Sequence, residues 1–195
     1  RYAAGYTYRG DAKRKLDDLE GAISDFTKAI EINPRYEVAY HWRGYAKNDL
    51  GNRKGACKDW KIAFKLGHND AAFLIEDYYQ ETNQSIRDFI DSGDKKYDSG
   101  DNIGAIKDYK KAIKIDPNCA EAYEHIGYIK LEQEEYNESL KFYNKAIELN
   151  PVDAAGYTYR GDVKRNLDDL EGAICDYSKS YELNPDSLLS LALYV

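Results

Sequence analysis

Apolar and small residues recur along this chain at helical spacing, in blocks that return every 34 residues. In the first block, Tyr6, Gly10 and Leu16 lie at helical spacing and predict a helix over 3–15. A polar turn follows at Asp17 and Asp18. A second helix is predicted from Leu19 to about Ile32, with Ala22, Ile23, Phe26, Ala29 and Ile30 on one face. Asn33-Pro34 ends it, because the residue before a proline is pushed out of the α region. The same two-helix pattern restarts at Glu37, Ile86, Ala120 and Ala154, which gives units 3–36, 37–70, 86–119, 120–153 and 154–187.

Within a block, certain places hold one kind of residue. Place eight is Gly10, Gly44, Gly93, Gly127 and Gly161, and place four is Tyr6, Tyr40, Phe89, Tyr123 and Tyr157. Place twenty is Ala22, Ala56, Ala105, Ser139 and Ala173, and place twenty-four is Phe26, Trp60, Tyr109, Tyr143 and Tyr177. The four prolines, Pro34, Pro117, Pro151 and Pro185, all fall at place thirty-two, where His68 stands once. A glycine inside a helix costs roughly 1 kcal/mol against alanine, so close packing of a neighbouring helix must return more.

These residues resemble the tetratricopeptide repeat, a helix-turn-helix unit whose pattern runs aromatic, Gly, Ala, aromatic, Ala, Pro. The style of "YTYRGDAK…DLEGAISDFTKAIEINP" is similar to bacterial repeat proteins. The resemblance implies an all-α fold, a right-handed superhelix of stacked antiparallel helix pairs, and a role in binding other proteins.

The array breaks once. Residues 71–80 are expected as an amphipathic capping helix with Phe73, Leu74 and Tyr78 on one side, and Ser85 with Asp88 marks a new helix start. This divides the chain into 1–84 and 85–195; the alternative is a kinked extension with the superhelix continuing. Residues 188–195, "LLSLALYV", read either as a truncated helix of a further repeat, the preferred reading, or as a stretch buried against another chain. The chain opens on Arg1-Tyr2, which matches Arg35-Tyr36, and this suggests a start at a repeat boundary of a longer protein. Blocks one and five differ at only eight of 32 places, so either could stand in the other's surroundings, for instance by end-to-end stacking of molecules.

The net charge of -7 argues against a nucleic-acid partner, which demands a basic footprint, and against an anionic membrane surface. A mean hydropathy of -0.76 with 43% hydrophobic residues suits thin helical layers, and the apolar runs are too short for membrane insertion. Cys57, Cys119 and Cys175 fit neither a disulfide framework nor a zinc site, and lean towards a reducing, cytoplasmic setting. His41, His68 and His125 are scattered, there is no phosphate loop, and the stretch from Asp98 fails the calcium-loop pattern. No cofactor, metal or catalytic residue is expected, and the paired carboxylates Asp17/Asp18, Glu134/Glu135 and Asp168/Asp169 read as turn and cap residues.

Place seven is Arg9, Arg43, Ser92, Ile126 and Arg160; place twenty-three is Asp25, Asp59, Asp108, Phe142 and Asp176. Arginine pairs with aspartate and isoleucine with phenylalanine, which predicts bidentate ion pairs Arg9–Asp25, Arg43–Asp59 and Arg160–Asp176 inside the units. Ser92 with Asp108 does not fit. Place eleven is lysine in every block: Lys13, Lys47, Lys96, Lys130 and Lys164.

The resemblance also implies a concave face lined by first helices, with contacts from places two, five, six, nine, twelve and thirteen. Some relatives grip a chaperone's C-terminal carboxylate with Lys/Asn at places five and nine. Those places here are Thr7/Asp11, His41/Tyr45, Ile90/Asp94, Glu124/Tyr128 and Thr158/Asp162, so that partner is rejected. The expected groove is Tyr45, Arg87, Asp94, Tyr97, Asp98, Glu121, Glu124, Tyr128, Asp162 and Arg165, with Glu132 and Tyr159 beside them. Acidic residues among aromatics over 86–187 point to a basic peptide or partner segment. The other reading is an architectural, self-associating segment with no separate ligand.

Overall fold

The computed structural model describes residues 2–185, so the helix expected over 188–195 lies outside the described residues. Among the described residues the protein is wholly α-helical. Its elements are α1 (Tyr2–Lys15), α2 (Leu19–Ile32), α3 (Glu37–Asp49), α4 (Arg53–Lys65), α5 (Ala71–Asp98), α6 (Asn102–Ile115), α7 (Ala120–Glu132), α8 (Tyr136–Leu149), α9 (Ala154–Asn166) and α10 (Leu170–Leu183). The fold is an all-α helical repeat of the solenoid class. It divides into two compact units, Arg1–Asn83 and a second that begins at Gln84.

In the first unit α1 packs on α2, α2 on α3 and α3 on α4. The start of α5 closes the unit, with Ala71, Leu74 and Ile75 against Ala56, Trp60 and Ala63 of α4. In the second unit the end of α5 packs with α6 and α7 around Ile90, Tyr109 and Ile126, and α7 to α10 follow in order.

One expectation is corrected here. The capping helix and the new start at Ser85 form a single helix of 28 residues. No glycine or proline interrupts 71–92, and side chains reinforce the turns. Thr82 Oγ1 donates to the Tyr78 carbonyl at 2.7 Å, and Gln84 Nε2 to Asp88 Oδ1 at 2.8 Å. The Ser85/Asp88 spacing is a cap signal only where the preceding residues leave the helix.

The helix pairs turn through place fifteen, which adopts left-handed φ in all five blocks: Asp17, Gly51, Gly100, Glu134 and Asp168. The next residue caps the second helix. Asp18, Asn52, Asp101 and Asp169 accept from the amides of Gly21, Gly55, Gly104 and Gly172 at 2.9–3.0 Å.

Place eight meets place twenty-four of the same block. A Cβ on Gly10 would lie 2.8 Å from Phe26, on Gly93 2.4 Å from Tyr109, and on Gly161 2.5 Å from Tyr177. The rings therefore rest on the glycine of their own unit, not on that of the next layer.

Candidate functional site

The three expected ion pairs form. Arg9 donates to Asp25 at 2.8 and 2.5 Å, Arg43 to Asp59 at 2.8 and 2.7 Å, and Arg160 to Asp176 at 2.8 and 2.6 Å. Lys13, Lys47 and Lys164 reach the same carboxylates at 3.0, 2.7 and 2.8 Å. The guanidinium hydrogen bonds come first in holding Asp25 down at about 2, against the opposing push of burial. A third arm links blocks: Arg43 Nη1 donates to Thr27 Oγ1 at 3.1 Å and Arg160 Nη1 to Asn144 Oδ1 at 2.9 Å. These charges are committed to the scaffold.

In the second unit, the end of α5, α7 and α9 lie side by side and share one face. Tyr97, Tyr128 and Tyr159 stand across them edge to face, with centroids 5.9 and 5.4 Å apart and planes at 80° and 76°. Tyr159 also lies on Tyr143, 5.9 Å away and nearly parallel. Offset and edge-on arrangements suit the ring quadrupole. The three tyrosines occupy places twelve, nine and six of successive blocks. Their spacing of 31 residues was in the sequence, but a search at period 34 passes over a diagonal stripe.

The acidic residues are oriented by this face. Tyr97 donates to Glu132 Oε2 at 2.8 Å, Tyr109 to Asp94 Oδ1 at 2.7 Å, and Tyr177 to Asp162 Oδ1 at 2.8 Å. Burial first and then these carboxylates push the Tyr97 and Tyr109 phenols up, and Tyr177 to about 12. These hydrogen bonds fix one oxygen of each carboxylate. His125 lies flat on Tyr109 at 4.9 Å, with Nε2 3.8 Å from Asp94 and 3.9 Å from Glu121. Arg165 pairs with Asp162 at 3.1 Å. Asp98 and Glu121 are exposed.

Glu124 differs from the rest. It is half-buried, and burial followed by the adjacent Asp153 pushes its carboxyl up to about 7. Asp153 is the cap of α9 and accepts from Ala155 and Gly156. The pair is not legible from spacing: Glu124 and Asp153 stand at the fifth and thirty-fourth places of one block, and they meet because Asp153 caps α9 beside α7.

Thus Asp94, Tyr97, Glu121, Glu124, Tyr128, Asp162 and Arg165 belong to one face, with Asp98 at the end of α5. Arg87 is exposed on α5, and among the described residues no ion pair joins it to the cluster. Tyr45 lies in the first unit, among His41, Trp42 and Trp60 and with the Arg14 guanidinium 5.9 Å over its ring. Among the described residues no group of three or more His, Cys, Asp or Glu could hold a metal ion. No helix of the described residues is long and apolar enough to cross a membrane.

Family models described as tetratricopeptide repeat match residues 3–36 and 120–153, and one described as TPR repeat matches 93–133. No curated protein matches the sequence. Among solved structures, a crystal structure of MamA is 21% identical and overlaps 90% of this chain and 94% of its own, with a TM-score of 0.50. The TPR2AB domain of yeast Sti1 in complex with pHSP90 is 16% identical over 97% of this chain and 81% of its own, at a TM-score of 0.51. The first TPR of Spaghetti (RPAP3) bound to the HSP90 peptide SRMEEVD is 24% identical over 56% of this chain and 86% of its own, at a TM-score of 0.54. At these identities the likeness is one of fold.

Proposed function

From the premise that this chain is a tetratricopeptide repeat protein, we propose that it binds a basic, extended or helical protein segment on the face shared by α5, α7 and α9. Such repeats serve as protein–protein interaction scaffolds. The observation that carries the reading is the Tyr97–Tyr128–Tyr159 ladder, flanked by Asp94, Glu121, Glu132 and Asp162. Tyrosine rings give apolar area at low entropic cost and attract cations over their faces. The carboxylates steer a lysine or arginine towards them. Fixing those carboxylates beforehand through Tyr97, Tyr109 and Tyr177 lowers the ordering cost of binding. The acidic peptide in the Spaghetti complex is of opposite chemistry and belongs to that protein.

The test is a fluorescence-anisotropy titration with matched Lys/Arg-rich and Glu/Asp-rich peptides. The basic series is expected to bind more tightly and to weaken with salt. Asp98→Lys with Glu121→Lys changes two exposed charges and leaves the hydrogen-bonded carboxylates alone; it should weaken the basic peptide by about tenfold or more. Tyr128→Ala should do likewise. Equal affinity for both peptide series, or no effect of these substitutions, refutes the assignment.

A further inference from the structure

A hydrogen bond recurs between places twenty-four and nine of a block. Tyr109 donates to Asp94 in block three, and Tyr177 to Asp162 in block five. The other blocks break this pair, and each strands an atom. In block one Phe26 has no donor, and Asp11 Oδ1 is buried without a hydrogen-bond partner among the described residues. In blocks two and four the ninth place is Tyr45 and Tyr128, and Trp60 Nε1 and Tyr143 Oη are stranded in the same way. Tyr143 is the case that bears on the shared face. It is fully buried, and Tyr159 of the tyrosine ladder lies on its ring. Its ring rests on Gly127 as Tyr109 rests on Gly93 and Tyr177 on Gly161, so its hydroxyl emerges at the level where those two meet a carboxylate. Burial first, then Tyr159 and Glu124, push its phenol up, which places the hydroxyl in the field of Glu124.

Glu124 is unsatisfied too. Asp25, Asp59, Asp108 and Asp176 are buried, and each is held by two cationic side chains within 3.0 Å. The charges that act on Glu124 are those of Asp153 and Glu121, both negative. A bare glycine lets Glu124 and Asp153 converge: a Cβ at Gly156 would lie 3.2 Å from Asp153 Oδ2 and 4.0 Å from Glu124 Oε1. Asp153 oxygens also accept from the Ala155 and Gly156 amides at the start of α9. The hydrogen bond between the two carboxyls runs through a proton on Glu124, whose carboxyl burial first and then Asp153 push up to about 7. Cys119, the cap of α7, and Tyr143 of α8 feel the Glu124 charge, and His125 is its neighbour on α7.

We infer that Glu124 and Asp153 form a lysine subsite, in which an ammonium of the bound segment takes the place of the proton between the two carboxyls; this rests on the reading of the α5–α7–α9 face as a site for a basic segment. The proton of Glu124 leaves to solvent, and the ammonium donates to both carboxylates. The ionised Glu124 then offers the acceptor that the Tyr143 hydroxyl lacks. Without a cation the two carboxylates would repel, so binding and loss of the proton go together. Lysine suits the subsite better than arginine, because a compact ammonium on a flexible stem fits between carboxyls that converge on a glycine. Two defects of the empty face, a stranded hydroxyl and a carboxyl with no cation, are thus removed by one ligand group.

Titration calorimetry of the full chain with a Lys-rich peptide tests this, at pH 6 and pH 8 and in two buffers of different ionisation enthalpy. The peptide should bind about tenfold more tightly at pH 8 than at pH 6, and should release close to one proton at pH 6. Glu124→Gln has the same shape and cannot ionise; it should abolish the proton release and the pH dependence, and weaken binding at pH 8 by about tenfold. Tyr143→Phe deletes one oxygen and should weaken binding at pH 8 by about threefold or more while the proton is still released. His125→Gln removes the neighbouring imidazole and should keep the pH dependence. Binding without proton release, a pH dependence that survives in Glu124→Gln or disappears in His125→Gln, or an affinity unchanged in Tyr143→Phe overturns the subsite and leaves the basic-segment reading standing. A Lys-rich peptide that binds at neither pH overturns both.

Discussion

Lys111 reaches the Asp108 carboxylate at 2.6 Å from the second helix of block three, a carboxylate that arginine from the first helix holds in blocks one, two and five. The same ammonium lies 5.0 Å over the Phe89 ring, as Arg9, Arg43 and Arg160 lie 5.1 to 5.5 Å over Tyr6, Tyr40 and Tyr157. Ser92 Oγ donates to Asp108 at 2.7 Å, and Lys96 completes the shell. Lys111 first, then Lys96, hold the Asp108 carboxyl well below its usual range despite its burial. The block that broke the arginine–aspartate rule thus keeps the buried charge and changes only the helix that supplies its cation.

Removing that cation should be felt. Lys111→Met leaves Asp108 with Lys96 and Ser92 alone, and is expected to cost about 1–3 kcal/mol in urea unfolding. Adding Ser92→Arg restores a cation from the first helix and should return most of the loss. Rescue by Ser92→Arg separates exchange of the cation from general damage to α6; absence of rescue would count against the equivalence of the two cations.

Block four shows that the pair need not be ionic. Ile126 is fully buried opposite Phe142, and Lys130 turns to Glu135 at 2.8 Å. Transplanting that solution to block two gives a double-mutant cycle. Arg43→Ile alone strands a buried carboxylate beside Lys47 and should cost about 3–5 kcal/mol. Arg43→Ile with Asp59→Phe should cost less than half as much, because no uncompensated charge remains. Additive losses would mean that the apolar pair depends on features peculiar to block four.

These pairs mark what the sequence could reveal. Helix pairing, turn positions and the Arg9–Asp25 type of bond follow from residues at fixed places in a block, so single positions with obvious chemistry announced them. Three features did not surface. Lys111 compensates for Ser92 from another helix, three residues after the Asp108 that it holds. Glu124 meets Asp153, the last residue of its own block, only once the start of α9 lies beside α7. The continuity of α5 is decided by the absence of any breaker between Ala71 and Ser92, and a cap motif read alone overrode that. Only the Glu124 contact depends on how two elements pack; Lys111 lies three residues from Asp108 on one helix, and the continuity of α5 is a local property of its sequence.

The turns hold a removable strain. Asp17, Glu134 and Asp168 adopt φ of 63°, 59° and 61°, where blocks two and three place Gly51 and Gly100. Left-handed backbone costs a residue with a Cβ about 1 kcal/mol. Asp17→Gly and Asp168→Gly are therefore each expected to stabilise by about 0.5–1 kcal/mol, after the greater entropy of glycine in the unfolded chain is subtracted. Thermal unfolding checks this. A loss of stability would show that these aspartates earn their place through charge at the helix start.

Glu124 gives the chain a pH dependence of a sign opposite to its other buried carboxylates. Its carboxyl rises to about 7 in the folded state, from an ordinary value of 4.5, through burial and then Asp153. A raised acid favours the protonated fold, so its contribution is complete below pH 4.5 and is lost as pH climbs through 7. Asp25 runs the other way: held at about 2 by Arg9, it contributes above its ordinary 3.8 and loses that contribution only as pH falls through 2. Between pH 5 and 8 Asp25 is constant, but His41 is not: burial first and then His68 lower its imidazole to about 4 from 6.5, so the fold loses stability as pH falls below 6.5, opposite in sign to Glu124. The difference between the natural chain and a Glu124 variant isolates Glu124. Glu124→Gln keeps a donor towards Asp153 and cannot ionise, so its stability relative to the natural chain should rise across pH 5 to 8 and exceed it at pH 8 by about 1–3 kcal/mol. The comparison at pH 4.5 supplies the control, since Glu124 is then mostly protonated and the two proteins should unfold together. If the substitution shifts stability equally at both pH values, its effect is packing and not the ionisation of Glu124.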